Sequence, residues 1–529
     1  MKMLFIFAML TLTLASAFAQ ADGGPQPGFK IGWRDPSEAP TSSEPVCANR
    51  DANTVDLLQV RWLSSNCLTL RGGFSSVSGT FAGLSYSTRN FLHLGETTSL
   101  NAEYGVRRRR LDLGVKKPSL FGTPVRIGFT VYGQRFHYNQ ARESSIFAFQ
   151  QDIPAFDQFA SNDRLDYVSH SYGGSVFVEY PIRRISSHVR FTYSDDVSDF
   201  RPLTASTNYY YRAVHFLSFY GPNVLTGIRT GKLIPSFIHN TLDDPIQPTH
   251  GTLFSVSTAV AGGDVNAVEP RIEARYFRSG FKPGHVVGMR LLGRFLRGYG
   301  DKVAPPYDRY YTGGEDDLRG FDSWSISPIV YLPSSTTVNV LNADGSPRIQ
   351  KQIIGGITTF TNVTMQIPSY QLVSTGGDTN VAMNLEYRIP IHRPFTVALF
   401  TDVGVNRLTL TDQLRISPVL VDRLSSQFLQ PGLSGHPRTP PGTQPMRMSS
   451  GLELQVVVPR IKAPLRFYGA YNPLVYRGTM QPPMVIDRSF FPNAATYENA
   501  ASIVNTPVPL RERRFMFRFS IGRTFGESR

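Results

Sequence analysis

Residues 310–328 read YYTGGEDDLRGFDSWSISP, and this stretch decides how the rest of the 529-residue chain is read. The pair Gly313-Gly314 interrupts helix and strand alike. An acidic trio follows, Glu315, Asp316 and Asp317, and then Leu318, Arg319, Gly320 and Phe321. Such a segment forms a tight loop that lifts one guanidinium, Arg319, between flexible and bulky neighbours.

Outward from the loop, short segments of alternating polarity fill the chain: 68–74, 81–88, 98–104, 110–115, 125–134, 175–180, 188–193, 224–237, 252–259, 271–277, 286–297, 381–389, 396–405, 448–458, 465–471 and 515–525. Period-two alternation bounded by turn residues predicts strands. Their connections sort by length. Those at 118–123, 181–187, 243–250, 280–285, 390–395 and 459–464 are short, whereas 135–170, 194–223, 300–380, 406–447 and 472–514 are long and fall at the opposite end. A membrane barrel sorts its connections this way and a soluble sandwich need not. The expected fold is therefore all-β, a transmembrane antiparallel β-barrel of about sixteen strands with an inward-folded arginine loop.

Composition agrees with that reading. Aromatics make up 12% of the chain, with 36 Phe and 24 Tyr, while mean hydropathy is slightly negative; strands with one apolar and one wet face have this mixture. Residues 1–19 read as a signal peptide, with Lys2, an apolar run over 4–14 and the small-residue site Ala17-Phe18-Ala19. That run is too short for an anchor, and no later stretch reaches the eighteen or so apolar residues of a membrane helix. A span must then be a closed barrel. Residues 20–67 are expected to be a short periplasmic leader, rich in Pro, Gly and Ser over 23–45, with the barrel over 68–525 and a tail at 526–529. Cys47 and Cys67, the only cysteines, are candidates to pair in an oxidising periplasm or to stay unpaired.

The net charge of +14 fits outer-membrane lipids, including lipopolysaccharide, better than nucleic acid in a secreted barrel. Part of it sits in Arg107–Arg110, at an expected hairpin tip. Parity assigns the faces. Met289, Leu291 and Phe295 alternate with Arg290, Leu292 and Arg294, and Ile272, Ala274 and Tyr276 with Arg271, Glu273 and Arg275. A lipid-facing arginine costs about 2–4 kcal/mol at mid-membrane, so the arginines line the lumen. By the same parity Glu386 lies opposite Met383, Leu385, Tyr387 and Ile389, and Asp402 opposite Val397, Leu399, Val403 and Val405; both carboxylates face inward.

Leu318-Arg319-Gly320-Phe321 resembles the conserved inward loop of the BamA/TamA family of outer-membrane assembly barrels, the bacterial surface antigen family. Further segments resemble that family in the same order: residues 84–96 (LSYSTRNFLHLGE), 111–118 ending in Pro118, 240–251 (NTLDDPIQPTHG), 384–387 (NLEY) and 400–404 (FTDVG). The resemblance implies a lock in which Arg319 pairs with Glu386 and Asp402 on the barrel wall. It implies a weakly paired seam between 68–74, softened by Gly72 and Gly73, and 515–525, where a client strand adds to the open edge. It also implies periplasmic POTRA domains, of about 75 residues each, for which 20–67 has no room; the chain is expected to be a variant without them. Phe515, Phe517, Phe519 and Phe525 form the closing-strand signal of this class.

No catalytic residues stand out. There is no His-Glu-x-x-His, no Cys/His cluster of metal spacing, no Gly-x-Ser-x-Gly elbow and no P-loop. The expectation is a non-enzyme without cofactor or metal, localised in the bacterial outer membrane, that inserts or translocates client outer-membrane polypeptides, with a separate periplasmic protein as a possible partner. The alternative is a passive pore or surface-display barrel.

Overall fold

The computed structural model describes residues 55–62, 66–75, 79–143, 151–217, 224–244, 247–354, 357–392, 394–428, 437–440, 442–457 and 464–521. The segment expected to be a signal peptide, most of the expected leader, Cys47, Phe525 and the expected tail lie outside the described residues.

One antiparallel sheet dominates. Its long strands are β1 (Val55–Trp62), β2 (Asn66–Ser75), β3 (Gly79–Arg89), β4 (Thr97–Gly105), β5 (Arg108–Lys117), β6 (Arg126–Asn139), β7 (Asp166–Ile182), β8 (Ser187–Pro202) and β9 (Ile228–Asn240). There follow β10 (Gly251–Gly263), β11 (Ala267–Ser279), β12 (Val286–Phe295), β13 (Thr379–His392), β14 (Phe395–Arg407), β15 (Arg447–Val457), β16 (Pro464–Leu474) and β17 (Phe515–Ile521). Each pairs antiparallel with the next along the chain. Cα atoms of β17 come within 8 Å of β2, with no ladder between them among the described residues. The edge of β2 is instead occupied from Asn66 to Gly72 by β1. This strand lies within the segment expected to be a leader of little periodicity.

The alternation along the strands matches the sequence reading. Met289, Leu291, Phe295, Ile272 and Tyr276 are exposed on one face, and Arg290, Arg294, Glu273 and Arg275 are buried on the other. Phe515 and Phe517 lie on the exposed face as well, with Phe517 85% exposed.

The long connections hold more order than their sequence suggests. Helices form at Ala205–Ala213, Pro418–Gln427 and Ala494–Val504, and a hairpin pairs Ile329–Asn339 with Thr364–Ser374. Together with strand ends they bury a largely aromatic core that includes Tyr138, Tyr167, Phe200, Tyr211, Tyr307, Tyr311 and Trp324. The arginine run is also less open than a hairpin tip implies. Arg107 is buried, its guanidinium 4.5 Å from the ring centre of Trp324, and Arg108–Arg110 already belong to β5.

Candidate functional site

Between β12 and β13 the chain leaves the sheet, and residues 310–328 fold back against its polar face. Three left-handed glycines, Gly313, Gly314 and Gly320, make the loop compact. Gly314 N–H donates to the Phe321 carbonyl at 3.1 Å, closing the loop on itself. Gly320, at φ +87°, passes so near the wall that a Cβ there would stand 2.4 Å from Asn472 Oδ1 and 2.9 Å from Ala470 and Ser449 Cβ. Leu318 packs over Gly404, where a side chain would have collided with it.

This approach delivers Arg319, 2% exposed, to the inner face of four neighbouring strands. Its Nε and Nη2 donate to Asp402 Oδ2 and Oδ1, both at 2.9 Å, and its backbone N–H donates to the same carboxylate at 3.0 Å. Nη1 donates to Glu386 Oε2 at 2.8 Å and to Glu453 Oε2 at 3.3 Å. The guanidinium lies over Phe400, 4.0 Å from the ring centre. A planar fork fits a carboxylate on two oxygens, which an ammonium cannot reproduce. Burial opposes the charge on Arg319, but Asp402, Glu453 and Glu386 outweigh it and hold the group ionised well above its ordinary range.

The structure thus brings Arg319, Glu386 and Asp402 together and adds residues not singled out from sequence. Glu453 also takes Arg466 Nε at 2.7 Å, and Arg388 Nε lies 3.2 Å from Glu386. Gln455 bonds Glu453 at 2.8 Å. Arg319, Arg388 and Arg466 balance Glu386, Asp402 and Glu453, three charges against three. Glu453 and Arg466 were readable by parity, since each follows an outward leucine, Leu452 and Leu465, in a predicted strand. Elsewhere the wall grips the loop backbone: Arg290 reaches the Asp316 carbonyl at 2.7 Å, Asn384 that of Asp317 at 2.8 Å, and Asn472 that of Gly320 at 2.6 Å. Phe321 and Leu318 share a small apolar cluster with Ile326. Cys67 is disulfide-bonded; the chain's other cysteine, Cys47, lies outside the described residues.

Two loop carboxylates are poised to titrate. Burial, reinforced by Asp316, pushes Glu315 up to about 7. Burial and the neighbouring Glu143 push Asp322 up to about 7 against the pull of Arg518, which bonds both carboxylates. A carboxyl whose folded value is raised binds its proton more tightly in the docked loop than in a free one. Its contribution to docking is present below the free value, near 4, and is lost as pH rises through about 7. Amide exchange at 313–323, corrected for intrinsic rate, is therefore expected to be slower at pH 5 than at pH 8. Asp322→Asn should shrink that difference; an unchanged profile would remove Asp322 from the account.

The family model of the Omp85 superfamily domain matches residues 90–525. The chain belongs to the Omp85 superfamily. Among curated relatives, the outer membrane protein assembly factor BamA of Nitratidesulfovibrio vulgaris is 31% identical over 109 residues, 19% of this chain and 14% of that protein. Sorting and assembly machinery component 50 homolog A of Xenopus laevis is 24% identical over 249 residues, 44% of this chain and 48% of that protein. The chain thus spans less than half the length of these relatives. In fold, this Omp85 chain is similar to BamA from Haemophilus ducreyi lacking POTRA domains 1–3, with a TM-score of 0.52 at 14% identity over 86% of this chain and 70% of that one. As an Omp85 member it is a bacterial outer-membrane protein, in a family with an outer membrane protein assembly factor among its members.

Proposed function

We propose that the sheet closes into a sixteen-stranded barrel from β2 to β17, and that its seam assists insertion or translocation of client outer-membrane polypeptides. The observation that carries this reading is the approach of β17 to β2 within 8 Å, with no ladder between them among the described residues, at an edge softened by Gly72 and Gly73 and lined from Asn66 to Gly72 by β1. Once β1 moves aside, the backbone groups it covers accept a further strand by β-augmentation. Arg319, fastened to Asp402 and Glu386, acts as the lock that keeps the wall rigid while the seam works. Cys47 and Cys67 pair, tying the segment before β1 to the start of β2. A steady open pore is disfavoured, because the loop end carries a packed aromatic core; single-channel recordings are expected to be silent or flickering.

The test is reconstitution of the purified protein in liposomes with a urea-unfolded outer-membrane protein. Folding should be faster than in protein-free liposomes or in liposomes holding an unrelated barrel. No acceleration, even with periplasmic extract added, would refute assembly activity; acceleration only with extract would point to a separate periplasmic partner.

Strand β1 bears on the same edge. A client must displace Val55–Trp62 from β2. Proline at Val60, opposite Leu68, removes a backbone donor from this ladder. Losing a net 1 kcal/mol or so would raise the client folding rate about five-fold. A slower rate would show that β1 supports the seam instead of covering it.

A further inference from the structure

No ladder joins β17 to β2 among the described residues, yet the two sides of that approach are tied together from within by residues 319–324. The C-terminal wall grips the near limb: Asp402 on β14 holds Arg319, and Asn472 on β16 donates to the Gly320 carbonyl at 2.6 Å. The N-terminal wall grips the far limb. Glu143, buried and just beyond the end of β6, accepts from Ser323 Oγ at 2.9 Å and from Ser323 N–H at 3.3 Å. The Trp324 ring stacks on Tyr138 of β6 with ring centres 4.9 Å apart, and the Arg107 guanidinium, from the turn between β4 and β5, lies over it.

Between the two grips stands Arg518 of β17. Phe515 and Phe517 face outward and Met516 and Ser520 are buried, so parity turns Arg518 inward. Its Nη2 donates at once to Asp322 Oδ1 and to Glu143 Oε2. One carboxylate belongs to the loop and the other follows β6, so a single side chain fastens the last strand to both. The far limb is also strained. Trp324 has φ +61°, a left-handed conformation that a bulky residue keeps only where its surroundings impose it. Here Tyr138, Phe136 and Arg107 impose it. Release of the limb would relieve that strain, which favours two discrete states over gradual loosening.

We propose that residues 319–324 form an inner clasp across the seam, with Arg518 as its pin. While Arg518 bonds Asp322 and Glu143 the seam is held shut, and a client that parts β17 from β2 must first draw the pin. The Arg319 lock differs in reach: its carboxylates on β13, β14 and β15 all lie on one side of the seam. The proposal rests on the barrel and seam reading above.

The test uses the full chain in phosphatidylcholine vesicles, with nitroxides on Leu84→Cys of β3 and Leu452→Cys of β15 and the distance between them read by pulsed electron resonance. Both leucines are exposed and stand on either side of the seam, away from the clasp. The native Cys67 is disulfide-bonded and leaves the new thiols for labelling. In the wild type the pair should give one narrow distribution near about 20 Å, four or so strand spacings. Arg518→Gln, and independently Glu143→Gln, should raise the share of longer distances about ten-fold, the factor for losing a hydrogen bond between charged groups. Glu143→Gln keeps an acceptor for Ser323 and serves where Arg518→Gln fails to fold. Arg190→Gln, which breaks a buried ion pair with Glu179 far from the seam, should leave the distances as they are.

Wild-type distances in the clasp variants overturn the proposal. Equal spreading in Arg190→Gln overturns it too, since that would mark a general softening of the wall. If the wild-type labels already lie far beyond that spacing, the barrel reading itself has failed. If the clasp variants spread the pair without speeding the folding of the urea-unfolded client, the clasp stands and the assembly reading falls.

Discussion

Arg319→Ala is expected to cost about 3–5 kcal/mol of stability, the usual price of removing one partner from a buried ion pair. The loss falls mainly on Asp402. Glu453 keeps Arg466, and Glu386 keeps Arg388, but Asp402 takes three of its hydrogen bonds from Arg319 itself. In the variant only the backbone N–H of residue 319 is left to it from that set. The measurement is heat-modifiability on gels with the urea midpoint and the surface yield; wild-type values for all three would sink the lock. Because the network is balanced three against three, Arg319→Ala with Asp402→Ala should be less destabilised than the sum of the single changes. Residues in one buried network couple by about 0.5–3 kcal/mol. Arg319→Lys should recover only part of the loss, since an ammonium cannot fork onto both oxygens of Asp402 while also reaching Glu386.

Gly320→Val is expected to undock the loop while leaving every charge in place. A Cβ at this position would stand 2.4 Å from Asn472 Oδ1, with Ala470 and Ser449 closing in behind it, and φ is +87°. A β-branched residue in that conformation is strained before any collision is counted. The loop must retreat from the wall, and Arg319 retreats with it. Conductance is the readout that separates this from the charge variants: the undocked loop should give larger and longer openings than the wild type. Unchanged recordings together with wild-type amide protection at 313–323 would show that the wall yields instead.

The strands were legible because lipid on one side and a charged interior on the other impose strict alternation, as along Met289–Phe295. The loop was legible because Gly313-Gly314 and Leu318-Arg319-Gly320-Phe321 leave few conformations open. Reading Glu386 and Asp402 as inward needed only parity, whereas their meeting with Arg319 came from family resemblance. Glu453 and Arg466 obeyed the same parity but carried no motif to draw the eye. Strand β1 was obscured by its own irregularity: the register slips between Asp56 and Leu58, and that bulge breaks the period. The helices of the loop end and the hairpin at 329–374 were missed because their burial is mutual. Tyr210 and Tyr211 are covered by other loops, and no short sequence window contains that information.

The four wall residues around Arg319 also constrain how the molecule is assembled. Glu386, Asp402, Glu453 and Arg466 lie on β13, β14, β15 and β16, one to a strand. A slip of one residue between any two of these strands would turn a charge out to the hydrocarbon and leave its partners stranded. The loop precedes all four strands in the chain and closes only when they stand side by side in register. Docking therefore demands that all four strands be aligned at once, and a misaligned neighbour forfeits the network, so the loop couples the register of the whole C-terminal part of the wall.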